Sequence, residues 1–101
     1  MADRLIRLKA WEALKLHSEG KHVEALDRAV NLALMNQHSG PALNLAGSLH
    51  AHASTAAWEQ RAPGCDEAAR ALVAHHRRAA VDAYTAAARV ARHRQGLCRL
   101  L

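Results

Sequence analysis

The stretch that most constrains this chain is Ser18-Glu19-Gly20-Lys21, where one helical apolar pattern stops and a second begins. Before it, Leu14, Leu16 and His17 close an apolar stripe. After it, His22-Val23-Glu24-Ala25-Leu26 opens another that recurs at Val23, Leu26, Ala29, Val30 and Ala33. Spacings of three and four mark a helix with one face against a partner. Gly20 is the residue able to take a left-handed conformation without a Cβ penalty, which ends the first helix. The segment Ala13–Met35 therefore reads as two helices folded back on each other, an αα-hairpin.

Composition agrees. Half of the 101 residues are apolar, yet Trp11, Trp58 and Tyr84 are the only aromatics and Phe is absent. A core of Ala and Leu suits closely packed helices and suits a sheet badly. One domain spanning 1–101 is expected, all-α, since the length allows one core and not several. No apolar run approaches the ~20 residues of a membrane span. Charges at Asp3, Arg4, Arg7 and Lys9, with no long apolar segment after them, predict no signal peptide. Cys65 and Cys98 fall at opposite ends of a long helical stretch, too far apart for a disulfide if that helix is continuous. Two free thiols and a cytoplasmic location are expected.

The remaining elements follow in order. A first helix runs from Asp3, as N-cap, to about Glu19. Its expected inner side is Leu5, Ile6, Ala10, Ala13, Leu14, Leu16 and His17. Leu8 and Trp11 fall instead among charged residues, either covering a neighbouring segment or forming a docking patch. The second helix spans about His22 to Asn36. The third runs from Pro41 to about Gln60, with Ser39 or Gly40 as cap and a polar ridge at Asn44, Ser48, His52, Thr55 and Glu59. Arg61-Ala62-Pro63-Gly64-Cys65 is a loop. The fourth helix runs from about Asp66 to Arg94, with an inner stripe that includes Leu72, His76, Ala80 and Ala87. Gly96 is expected to end it, leaving an apolar tail over 95–101.

Gly47 stands 34 residues after Ala13, and Gly20-Lys21-His22-Val23-Glu24-Ala25-Leu26 carries a glycine, a ring two residues on, then Glu-Ala-Leu. Ala80-Val81-Asp82-Ala83-Tyr84 repeats part of that second-helix pattern. This arrangement resembles the tetratricopeptide-repeat family over about residues 8–37 and 42–90. The resemblance implies two stacked antiparallel hairpins, 3–36 and 41–94; an unrelated four-helix bundle fits much of the same patterning. It also implies a peptide-binding groove along the first helix of each hairpin. The partner-binding candidates are then Arg7, Leu14, Asn44, Ser48 and His52, with Leu8 and Trp11 for docking or homodimerisation. The family's carboxylate-clamping set is not reproduced, since only Arg7 and Asn44 could serve.

Chemistry is sought and not found. Eight histidines invite a metal, but His50 and His52 are two apart, His75 and His76 are adjacent, and His17 and His22 flank a turn. None has the i,i+3 or i,i+4 spacing of a single-helix site, so no metal or other cofactor is expected, with a metal held across helices as the alternative. His50 and His76 read as hydrogen-bonded core residues. Cys65 precedes a helix N-terminus that would lower its pKa, but Asp66 and Glu67 oppose this and no base stands near in sequence. Without paired buried carboxylates or a glycine-rich phosphate loop, the chain reads as non-enzymatic.

The net charge of +5 is lopsided. Residues 1–60 balance, while residues 61–101 hold eight arginines against Asp66, Glu67 and Asp82. Arg70, Arg77, Arg78, Arg89 and Arg92 share one side of the fourth helix, a candidate polyanion surface whose affinity would fall steeply with salt. Apart from Tyr84, no aromatic residue interleaves in that helix for base stacking. The leading expectation is an interaction module for a partner protein or peptide, the alternative a basic helical nucleic-acid binder.

Overall fold

The computed structural model describes the backbone over residues 3–100 and side chains over residues 3–96. The chain is all-α: α1 Asp3–Ser18, α2 His22–Met35, α3 Gly40–Glu59 and α4 Asp66–Leu100, with no strand among the described residues. Adjacent helices run antiparallel. Glu12 faces Arg28 and His17 faces His22 across α1 and α2, while Ser48 meets Tyr84 and His50 meets His76 across α3 and α4. The backbone of α3 lies against α1, α2 and α4, whereas that of α4 approaches α3 alone. α3 is therefore the central element. Seven of its residues are buried, from Ala42 to Ser54.

The turn at Gly20 forms as the sequence requires. Gly20 sits at φ +84°, its N–H donates to the His17 carbonyl at 3.1 Å, and the Lys21 N–H donates to the Leu16 carbonyl at 3.0 Å. These are the paired bonds that close a helix through a left-handed residue. The α2–α3 turn is held differently. Buried Asn36 donates from Nδ2 to the Leu32 carbonyl at 2.9 Å, and its own carbonyl accepts from the Ser39 N–H at 3.0 Å. Ser39 then caps α3, its Oγ accepting from the Ala42 N–H at 3.3 Å, with Pro41 in the first turn. Between α3 and α4, Arg61 bonds the Trp58 carbonyl and Asp66 Oδ1, each at 2.8 Å, and lies 3.8 Å over the Trp58 ring.

The core is built from small residues. Ala13, Ala25, Ala29 and Ala42 are completely buried where α1, α2 and α3 meet, with Ile6, Leu32, Leu45 and Leu49 packed around them. Ala69, Ala80 and Ala87 bury the corresponding face of α4. Alanine lets helix axes approach toward the short end of the usual 8–10 Å range. Gly47 goes further. A Cβ there would stand 2.9 Å from Tyr84 Cε1, so glycine lets the tyrosine ring lie on the α3 backbone.

Several expectations need correction. Asp3 is helical and so is not the cap of α1, whereas the ends at Ser18, Met35 and Glu59 fall within one residue of those expected. α4 continues through Gly96 to Leu100, because no left-handed glycine interrupts it there and the flanking residues favour helix. The expected tail is thus helical through Leu100; the side chains of Leu97, Cys98, Arg99 and Leu100, and all of Leu101, lie outside the described residues. Val23 is 78% exposed, since α2 turns its alanine face, Ala25-Ala29-Leu32, toward α1 and α3. Leu5 and Leu14 are also exposed, on the margins of the α1 inner face. Leu72 is exposed because one neighbouring helix covers only a narrow face of α4.

Candidate functional site

Three surfaces carry the candidate residues. The first is the outer side of α1. Leu8, Trp11 and Leu14 stand 52%, 59% and 49% exposed. At 100° per residue they cross about 120° of the helix surface, with Arg4, Arg7 and Lys15 interspersed. The Lys15 ammonium sits 5.6 Å from the Trp11 ring centroid. Glu12 does not neutralise this face, because its carboxylate reaches round to Arg28 on α2 at 3.8 Å. The result is an apolar diagonal in a cationic surround, and no described segment of the chain covers it.

Of the α3 residues expected to join it in a groove, Asn44 is exposed. Ser48 is exposed too, but its hydroxyl is within 3.1 Å of the Tyr84 hydroxyl, facing α4. His52 lies against α1, its ring centroid 4.5 Å from that of His17.

The second surface is the arginine side of α4. Arg70, Arg77, Arg78, Arg89 and Arg92 are all exposed. None of them pairs with a carboxylate among the described residues, where the arginine ion pairs belong to Arg28 and Arg61. One aromatic does stand beside this row, which reading α4 alone missed. Trp58, on α3, lies 5.7 Å from the Arg70 guanidinium, and Trp58, Arg70 and Arg77 line one surface cleft. The indole also carries Arg61, its guanidinium 3.8 Å from the ring centroid, so cations already occupy the ring.

The third surface was not foreseen. His17 and His22, separated in sequence by the Gly20 turn, come together with Nδ1 atoms 3.0 Å apart. The helix-closing bonds at Gly20 place the last turn of α1 beside the first residue of α2, and His52 projects from α3 into the same space. The ring centroids of His22 and His52 are 4.9 Å apart. On the other side of α3, two positions along, His50 meets His76 with Nδ1 atoms 3.0 Å apart, while the His75 ring lies 6.3 Å from that of His50. The expectation of a hydrogen-bonded His50 and His76 is met, and each is the other's partner. Both are held below the ordinary imidazole pKa, by desolvation first and then by neighbouring histidines. His17 is lowered likewise by desolvation, then by His52 and His22. The signal for the first group was the glycine turn itself, which fixes where its two flanking histidines point.

Among the described residues no helix is long and apolar enough to cross a membrane. Cys65 is a free, exposed thiol. No family model, curated protein or solved structure matches this chain.

Proposed function

We propose that this domain is a non-enzymatic protein-interaction module whose outer α1 face binds an amphipathic segment of another protein. The observation that carries the reading is the Leu8–Trp11–Leu14 diagonal, solvent-exposed and rimmed by Arg4, Arg7 and Lys15. Exposed Trp flanked by Arg is the composition of binding hot spots. The charge pattern selects the occupant. A second copy would bring cation against cation, whereas a helix with Leu-type anchors and Glu or Asp flanks satisfies both features. A tetratricopeptide-like stacking of hairpins is part of the same proposal. It is supported by the Gly20 turn, by buried small residues at Ala13 and Gly47, and by a series in which α4 does not return to α1.

A photo-crosslinking amino acid at position 11, in the protein's own host, tests this, with position 81 on α4 as an equally exposed apolar control. Adducts of discrete mass from position 11 and none from 81 are the expected result. Adducts with the chain itself would replace the partner by a homodimer. Equal labelling from both positions would remove the reading.

The unpaired arginine row on α4 favours a second reading, polyanion or nucleic-acid binding through Arg70, Arg77, Arg78, Arg89 and Arg92. Four unneutralised guanidinium groups beyond Trp58 would bind phosphates with a strong salt dependence.

A further inference from the structure

We infer that His17, His22 and His52 form a binding site for a divalent transition-metal cation, Zn2+ foremost, that ties the α1–α2 turn to α3. Each histidine comes from a different helix, and one ring nitrogen from each lies within 4.8 Å of the others. Zn–N bonds of 2.0–2.1 Å at tetrahedral angles put ligand nitrogens about 3.3 Å apart. The His17–His22 pair, at 3.0 Å, is already within a few tenths of an ångström of that spacing. The third nitrogen has at most about 1.5 Å to travel. His22 and His52 are exposed, so side-chain rotation supplies it without moving a helix.

A simpler account would make this a hydrogen-bonded histidine pair like His50–His76. It does not cover the whole group. One N–H can serve the His17–His22 contact, but His52 has no hydrogen-bond partner among the described residues and still packs both rings at 4.5 and 4.9 Å. Three imidazoles gathered with one hydrogen bond between them leave ring nitrogens free to share a ligand. The second group is looser: the His75 ring is 5.0 Å from that of His76 but 6.3 Å from that of His50, and its three rings do not bring one nitrogen each within 4.8 Å of the others.

The donor set selects the cation. Neutral imidazoles without a ligating carboxylate are poor hosts for Ca2+ or Mg2+, which take oxygen, and good hosts for Zn2+, Ni2+ and Cu2+. The site opens into a cleft of about 320 Å3 walled by Val23, Leu26, Leu49 and Ala56 and lined also by Asp27 and His76, with room for a fourth ligand. A metal there would clamp three helix segments at the end of the α1 face described above. The site does not depend on that face having a partner.

Calorimetric titration of the full chain with Zn2+ tests the inference, with Co2+ absorption as a geometric readout. One saturable equivalent, tetrahedral Co2+ bands and a melting temperature that rises with Zn2+ are expected. His22→Gln and His52→Gln should each weaken binding by more than about 100-fold, since even outer-shell partners are worth 10–100-fold. Both side chains are exposed, so circular dichroism should show these variants folded. His75→Gln, in the other group, should leave the titration unchanged. Absence of a saturable equivalent would overturn the site, as would binding that survives both His22→Gln and His52→Gln, or binding abolished by His75→Gln.

Discussion

The outer faces of α1 and α4 are both basic and both open to solvent, yet they offer different things. α1 sets its cations around three large apolar side chains; α4 sets its cations in a row with mostly alanine between them. On α1 the apolar side chains can fill pockets of a partner and the charges then choose its sign. On α4 the charge must do nearly all the binding, which makes the interaction salt-sensitive and poorly selective. The difference traces to packing. α3 is covered from two sides and buries Leu43, Leu45 and Leu49, while α1 lies at the edge of the series and keeps Leu8, Trp11 and Leu14 outside.

The comparison can be broken most sharply at Trp11. Trp11→Ala should reduce affinity for a bound partner by about 30- to 1,000-fold, the 2–4 kcal/mol of a hot-spot residue. Because the indole is exposed, stability by chemical denaturation should stay within about 0.5 kcal/mol of the parent. Arg77→Ala/Arg78→Ala should change neither quantity.

Gly20→Ala attacks the geometry that presents α1. A non-glycine residue at φ +84° costs roughly 1–2 kcal/mol. A melting temperature lower by about 4–16 °C is expected for a chain of this size. Gly64→Ala, at φ +82° before α4, should cost a similar amount while leaving partner binding through α1 intact.

For α4, the slope of log retention on heparin against log salt should fall by about 2 in Arg77→Ala/Arg78→Ala, one unit per phosphate-type contact removed. Leu8→Ala should not alter that slope.

Acid should loosen α3 from α4. His50 and His76 titrate below the ordinary 6.5 in the folded chain, so between the folded and unfolded values the unfolded chain binds more protons. Stability therefore holds above about pH 6.5 and declines as the pH falls below it. Denaturation midpoints measured from pH 8 to 5 with a chelator present should show this, and His76→Gln should flatten the decline.

The smallest expected effect concerns Gly47. In a Tyr84→Ala background, Gly47→Ala should stabilise the chain by about 1 kcal/mol through helix propensity. With Tyr84 present, the ring must move away from the new Cβ and the gain should shrink or vanish.

The hairpin turn, the four helices and the charged setting of Leu8 and Trp11 were legible in the sequence, because glycine punctuation and 3.6-residue periodicity are local signals; whether a neighbouring segment covers Leu8 and Trp11 was not. What was not legible depends on which helices pack together. Val23 and Leu72 sit at apolar positions of their stripes, but the rotation of α2 and the single neighbour of α4 decide their exposure. Trp58 joins the arginine row only because α3 and α4 lie side by side. The histidine groups show the limit most clearly. No spacing rule for one helix reports His17, His22 and His52, since their convergence needs a left-handed turn and a third helix at once. The spacing does imply that His50 and His52, two residues apart, point to different sides of α3, but not which rings each meets there.

The central claim, that α1 and not α4 carries the partner-binding face, is most directly tested by the fluorescence of Trp11. In a Trp58→Phe protein, emission should begin in the range of an exposed indole and shift to the blue, saturably, on titration with an acidic amphipathic helical peptide. The shift should be lost in Leu8→Ala/Leu14→Ala and kept in Arg77→Ala/Arg78→Ala. No shift with the acidic peptide, or an equal shift with a basic peptide of the same apolar pattern, would contradict it.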